Sequence, residues 1–343
     1  MDIHSYVPLY VRLFSFYKEK ILKQDYFPGE RIDSITRIVE RHKVSRETAK
    51  LVLSKLSEEG YIVKKAGKGS FVSFAKSPKK LWGIVIPFYS SNIKDLIGSL
   101  NRRAQEKGRK IEYYLHYNDP KEEMRQVGSM IRNGFEAVIV VPNYDESITA
   151  EFYRKLNHGS SKVILVDRTM AGSFFNYVIQ SYDLGVKRAF MHLISMNKKN
   201  LLFVKDEDWM GRNLVYELME QTLRIFISKQ APERELFIIS DLQELDKSFL
   251  SKRNIGGILC SMDIDSVRIT GRLVKWKIKM PYEVSVVSYG NTELTQVFDP
   301  PITAIDCQYE EMASLTAAMI FNKSKSGSQH QHVIQPDLIV RGT

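Results

Sequence analysis

Between Val44 and Val72 the chain places basic side chains on a helix and on a glycine-tipped turn. Ser45 can cap the helix by accepting from an early backbone N–H, Glu47 suits the positive end of the dipole, and Gly60 can supply a left-handed stop. Ala49, Val52, Leu53 and Leu56 recur at helical spacing, so one face is expected to be buried while Arg46 and Lys50 project from another. A buried back and a basic front fit a DNA major groove, although a surface helix with solvated lysines has the same spacing. The segment after the helix decides between them. Tyr61–Val63 and Ser70–Ser73 read as strands around Lys64-Lys65-Ala66-Gly67-Lys68-Gly69, a bare positive tip that can approach phosphates closely. A nucleotide-binding P-loop is excluded, because it needs an earlier glycine and a helix after the lysine, where this chain has Gly69 and a strand.

Upstream, Pro8-Leu9-Tyr10 opens a helix with Leu9, Leu13, Phe16, Tyr17 and Ile21 on one stripe, and Tyr26–Ile32 turns into a second helix. Across residues 8 to 72 the set Pro8-Leu9-Tyr10, Pro28-Gly29, Ser34, Val44-Ser45-Arg46, Thr48, Glu59-Gly60 and Gly67–Val72 resembles the GntR family of winged helix-turn-helix regulators. The resemblance implies that Arg46 and Lys50 touch DNA from the recognition helix and that the Gly69 tip enters the minor groove; Ser34, Thr36, Arg37, Ser45, Thr48, Lys65 and Lys68 are the further candidate DNA contacts. The chain departs from the family at one point: where that family carries Pro-Ser-Glu-Arg, it has Asp33-Ser34-Ile35-Thr36, with Arg37 one place late.

Charge placement agrees with a polyanion-binding unit. Residues 1–80 hold 17 Lys+Arg against 9 Asp+Glu, a net of +8, whereas residues 81–343 are nearly neutral at +2. The helices lack the strongly apolar outer face that membrane-surface binding needs. With only Cys260 and Cys307, no disulfide framework or Cys-x-x-Cys metal site is expected, and both thiols read as small buried hydrophobes. The chain shows neither an apolar run near the ~18 residues of a membrane span nor a leader-like start, so a cytoplasmic protein is expected.

The length favours about two domains. We expect residues 1–74 as the DNA-binding unit, 75–81 as a short polar connector, and 82–343 as a larger domain. From Trp82 the chain alternates strands and helices. Runs such as Val138–Val141 and Val163–Val166 are typical of parallel strands covered on both faces. Two successive β/α cycles, dividing near Gln180-Ser181-Tyr182, imply two doubly wound lobes. The fold class is thus α/β, an α+β winged helix followed by a two-lobed parallel-sheet domain.

In that arrangement ligands bind beyond the carboxyl ends of strands, where the lobes face each other. This selects Phe88-Tyr89, Tyr117, Asn143-Tyr144, Asp167-Arg168, Asp206–Trp209 and Tyr289-Gly290-Asn291. Aromatic rings beside an acid, an amide and arginines suit a neutral polyol. Asp206-Glu207-Asp208 could hold a metal, but adjacent loop carboxylates seldom converge on one ion. No metal, cofactor or catalytic grouping is expected, and the chain does not read as an enzyme.

Residues 82 to 343 resemble the LacI/GalR effector domain, a type I periplasmic-binding-protein fold. The matching phrases are Gly83–Pro87, Val163–Arg168, Gly211-Arg212, Pro281–Gly290, Pro300–Ile305 and Pro336–Arg341. A GntR-type reader joined to such a domain is similar to the arabinose-repressor subgroup. The resemblance implies Asp167, Arg212 and Asn291 as ligand contacts and Phe88 as a cleft aromatic, with hinges near Gln180, Cys307 and Gln329; Tyr89, Arg168 and Tyr289 join the candidate ligand residues from the strand ends. Where the family has Phe-Asp-Asp, this chain has Tyr289-Gly290-Asn291. The expectation is a homodimeric repressor of carbohydrate-utilisation genes that binds operator DNA and is released by a monosaccharide. The alternatives are the same architecture sensing a purine or other non-sugar ligand, or an enzyme carrying a DNA-binding appendage.

Overall fold

The computed structural model describes residues 8–22, 25–26, 29–73, 79–144, 146–156, 161–168, 170, 175–205, 213–322 and 330–343. The N-terminal unit consists of α1 (Leu9–Leu22), α2 (Ile35–His42), α3 (Arg46–Glu58) and an antiparallel hairpin of β1 (Ile62–Lys65) and β2 (Gly69–Val72). Ser45 Oγ accepts from Thr48 N at 3.0 Å, and Gly60 sits at φ +80°, as the sequence predicts for the two ends of α3. The buried stripe Ala49, Val52, Leu53 and Leu56 packs with Leu13, Phe14, Tyr17 and Ile21 of α1 and Ile38 of α2. Each fully buried side chain of valine size or larger in this set contributes roughly 1.5–3 kcal/mol, which a unit this small needs.

The stripe on α1 differs from expectation. Leu9 and Phe16 are exposed, and Phe14 is buried instead. Leu13, Tyr17 and Ile21 define the inward line at four-residue spacing, and Phe14 lies on the flank that meets Tyr61 at 6.4 Å between ring centroids. Phe16 lies on the other flank, with its ring 5.2 Å from that of His42.

The larger part begins at β3 (Lys79–Ile86), so Lys79–Leu81, expected in the connector, belong to the sheet. Their pairing explains this: Lys79 aligns with Phe135, and Leu81 with Lys110. Lobe one continues with α4 (Ser91–Glu106), β4 (Lys110–Leu115), α5 (Pro120–Arg132), β5 (Phe135–Val140), α6 (Glu146–Lys155), β6 (Lys162–Asp167) and β7 (Asn176–Gln180). Lobe two holds α7 (Tyr182–Ser195), β8 (Asn200–Val204), α8 (Leu214–Gln230), β9 (Leu236–Ile239), α9 (Lys247–Lys252), β10 (Ile255–Cys260), α10 (Asp263–Lys275), β11 (Ser285–Tyr289), α11 (Glu293–Val297) and β12 (Thr303–Asp306). The chain then returns through α12 (Tyr309–Phe321) and β13 (Gln331–Ile334) to lobe one and ends with β14 (Asp337–Ile339) in lobe two.

Lobe one is a parallel sheet of order β13-β7-β6-β5-β3-β4, and lobe two has order β14-β12-β11-β10-β8-β9 with only β14 antiparallel. In each, the first strand lies inside the sheet and the chain winds outward in both directions, the doubly wound pattern expected. The chain crosses between lobes after Gln180, after Asp306 and between Ile334 and Asp337. The third crossing therefore falls later than Gln329, which lies outside the described residues. It comes there because β13 must complete its pairing with β7 before the chain can leave lobe one.

Candidate functional site

The carboxyl ends of the two sheets meet in a cleft. Phe88, Tyr144, Asp167 and Arg168 enter it from lobe one, and Tyr216, Ser261 and Tyr289 from lobe two. Asp167 stands at φ +68° at the end of β6 and is buried. Its carboxylate accepts from Gln180 Nε2 at 2.6 Å and from Tyr182 OH at 2.8 Å. Tyr289 OH donates to Gln180 Oε1 at 3.1 Å, and its ring stacks on Tyr182 at 5.8 Å between centroids. Gly185 permits that approach, since a Cβ there would lie 2.5 Å from the Tyr289 oxygen. Burial pushes both tyrosine hydroxyls far above their ordinary range, so they remain donors.

Arg168 is held differently. Its Nε donates to Pro142 O at 2.5 Å, and its guanidinium carbon lies over the Tyr144 ring, 3.8 Å from the centroid. Its Nη2 is buried without a hydrogen-bond partner among the described residues, and so are Asn92 Oδ1 and Ser261 Oγ. All three residues line this one cleft. Buried polar atoms are rarely left unpaired, so three around one cavity leave hydrogen-bonding capacity there that a polar ligand could take up. The cleft encloses about 90 Å³, whereas small-molecule sites usually span ~300–1,000 Å³. It is filled by its own tyrosines, and the lobes must part to admit a ligand.

Phe88, Asp167, Arg168 and Tyr289 thus reach the cleft as the sequence predicts. Tyr89 does not: it is 55% exposed and stacks on Tyr113 at 6.0 Å, in an outer groove beside α4. Asn291 also lies in that groove, where its Nδ2 donates to Asp306 at 3.0 Å and its Oδ1 accepts from Arg341 at 2.5 Å. These bonds brace the crossing after β12, and the structure places Asn291 in the outer groove rather than among the residues lining the cleft. Tyr117 is exposed and does not line the cleft. Arg212 and Asp206–Trp209 lie outside the described residues. Asn92 and Ser261 were missed; the strand-end rule that picks Asp167 would also have picked Ser261, one residue beyond β10. Among the described residues no cluster of His, Cys, Asp and Glu could hold a metal ion, and no helix is long and apolar enough to cross a membrane.

On the N-terminal unit, Thr36, Arg37, Arg46, Lys65 and Lys68 are exposed. Ser34 Oγ accepts from Arg37 N at 3.2 Å and so caps α2, as Ser45 caps α3 with Thr48. Lys50 pairs with Glu47 at 2.7 Å, an exposed contact of little energetic weight that leaves the ammonium available. Gly69 sits at φ +105° against the Arg31 side chain, where a Cβ would clash.

The lobes define a two-lobed α/β fold of the periplasmic-binding-protein type, preceded by a small helical unit with a β-hairpin. Residues 204–343 match the family of periplasmic binding protein-like domains. Along nearly its whole length the chain is similar to an arabinose metabolism transcriptional repressor of Halalkalibacterium halodurans, at 22% identity over 94% of this chain and 93% of that protein. A repressor of the same description from Geobacillus stearothermophilus is 21% identical over 98% of both chains. Among solved structures, a LacI-family transcriptional regulator from Silicibacter pomeroyi superposes with a TM-score of 0.66 at 16% identity, covering 98% of this chain and 99% of that one. These relatives support a carbohydrate-responsive transcriptional repressor. They also overturn the GntR assignment of the N-terminal unit: the matches set the chain beside LacI-type regulators.

Proposed function

We propose that this chain is a transcriptional repressor of sugar-utilisation genes, whose effector is a small polyhydroxylated compound bound between the two lobes. The observation that carries this reading is the convergence of Asn92 Oδ1, Arg168 Nη2 and Ser261 Oγ, each buried and unpartnered among the described residues, on one cleft lined by aromatic rings. A ligand with several hydroxyls can donate to the amide oxygen, accept from the guanidinium and do either with the serine. Tyrosine rings offer faces for its C–H groups.

The N-terminal unit is read as a winged helix-turn-helix, with α3 as recognition helix, Arg46 and Lys50 toward base edges and phosphates, and the Lys65–Gly69 tip as the wing. Residues 1–74 would form this reader and the part from Lys79 onward the effector and dimerisation domain, the active species being a homodimer on two half-sites. Opening and reclosing of the lobes around effector would then change the spacing of the two readers. The similarity to proteins named for arabinose metabolism makes a pentose the first effector to try.

The test is to select a duplex from a randomised library with the full-length chain and measure its release by L-arabinose, D-xylose, D-ribose and D-galactose, with purine bases as the other arm. An enriched duplex released by one sugar supports the reading. Release by a purine alone moves the effector to another class, and no enrichment at all removes the DNA-binding role.

A further inference from the structure

Glu123, the fourth residue of α5, is fully buried and lies behind the cleft rather than in it. Its Oε2 accepts from Asn143 N at 2.7 Å and from Asn143 Nδ2 at 2.8 Å, and its Oε1 accepts from Tyr153 OH at 2.6 Å. Burial raises the pKa of this carboxyl, and the bonds from Tyr153 and Asn143 oppose the rise. An enclosed carboxylate is costly to keep, and a chain that needed only packing here could use an apolar residue of similar volume.

The partners of Glu123 explain its presence. Pro142, Asn143 and Tyr144 are consecutive at the end of β5. The outer two hold Arg168: Pro142 through its carbonyl at 2.5 Å and Tyr144 through its ring at 3.8 Å. The middle one is held by Glu123 through both its backbone and its side chain. The turn that aims the arginine is therefore anchored at its centre by one buried carboxylate. Asn118 Oδ1 accepts a single bond from Tyr144 N at 2.8 Å, which fixes the next peptide of the same turn.

We infer that Glu123 is a positioning residue of the effector site: without touching ligand, it fixes the 142–144 turn and through it the direction of the Arg168 guanidinium. This rests on the reading of the cleft as the effector site. Glutamine can keep both bonds from Asn143 through its carbonyl and direct its amide N–H toward the Tyr153 oxygen. Aspartate, one methylene shorter, cannot reach Asn143 from the same backbone, and leucine can make none of these bonds.

The experiment is calorimetric titration of L-arabinose into full-length wild type, Glu123→Gln, Glu123→Asp, Glu123→Leu, Arg168→Ala and the Glu123→Asp/Arg168→Ala double variant, each first shown to melt cooperatively. The expectation is an affinity within about threefold of wild type for Gln and at least about tenfold weaker for Asp and Leu. The double variant should be no weaker than Arg168→Ala alone, since the carboxylate acts through the arginine. A double variant weakened by the product of the two single effects overturns the inference, as does a Gln variant as weak as Leu. Should Leu not fold, the Asp variant and the double variant carry the test.

If wild type binds no sugar, it is the effector reading that fails, and the positioning role is then read without ligand. Amide hydrogen exchange of the 142–144 peptide should accelerate in Glu123→Asp while the rest of lobe one keeps its protection. Unchanged exchange there overturns the inference.

Discussion

Tyr289, at the end of β11 in lobe two, donates its hydroxyl proton to Gln180 Oε1, at the end of β7 in lobe one, across 3.1 Å. Gln180 passes the contact on by donating to Asp167 at 2.6 Å, so a three-residue chain ties the lobes together where a ligand would sit. Replacing Tyr289 by phenylalanine leaves the buried amide oxygen without this donor. Denaturant unfolding of Tyr289→Phe should show a loss of ~1–3 kcal/mol, the cost of an orphaned buried acceptor. An unchanged midpoint would mean that the contact contributes nothing to the stability of the folded protein.

Ser261 makes the opposite prediction for stability and for binding. Its hydroxyl has no partner among the described residues, so Ser261→Ala should leave the folded protein as stable as wild type or up to ~1 kcal/mol more stable. If that hydroxyl bonds the effector, affinity should still fall by about two- to tenfold, the worth of one neutral hydrogen bond. Thermal melts with and without sugar report both quantities. Loss of stability with unchanged affinity would remove Ser261 from the site.

His116 sets a pH dependence. Its ring is fully buried, and its Nε2 donates to Val141 O at 3.1 Å. Burial pushes the imidazole down to about 4. The unfolded chain, with histidine near 6.5, binds the proton first, so the contribution is fully present above pH 6.5 and is lost as pH falls toward 4. That loss reaches about 3 kcal/mol. Glu123, 3.8 Å away, has a raised pKa and opposes this, adding stability at low pH that fades as pH rises through its folded value. In His116→Gln the decline between pH 6.5 and 4 should be shallower by that amount in urea unfolding at stepped pH. An identical slope would show that the histidine is not the group responsible.

Arg46 and Lys68 should separate base reading from backbone attraction. With a selected duplex, Arg46→Ala is expected to lose ~1–3 kcal/mol if the guanidinium reads a base edge. On a mixed-sequence duplex at low salt it should lose much less. Lys68→Ala should weaken both duplexes alike and lower the salt slope by about one, as for a phosphate contact. Equal effects of the two substitutions on the two duplexes would place both side chains on phosphates.

How far these sites could be foreseen depended on how local their causes are. The ends of α3 were legible because Ser45 and Gly60 act within one turn of themselves, through a cap at 3.0 Å and a φ of +80°. The two lobes were legible because short apolar runs such as Val138–Val141, alternating with helical patterns, are typical of parallel strands buried on both faces, and their repeated alternation points to doubly wound sheets. The strand-end rule then found Phe88, Asp167, Arg168 and Tyr289.

Direction beyond a strand end was left to the tertiary structure. Tyr89 and Asn291 stand next to true cleft positions in sequence, yet one turns out to Tyr113 and the other to Asp306 and Arg341. A single backbone rotation past the last paired residue decides between inside and outside, and no periodicity encodes it. The partners of Asp167 lie 13 and 15 residues away, and Glu123 reaches Asn143 from 20 residues upstream. Such contacts exist only once β5, β6 and β7 have taken their places in the sheet. Composition and spacing therefore determined which elements form and where a ligand cleft must open. The packing of those elements decided which polar atoms of the cleft were spent on one another and which remained for a ligand.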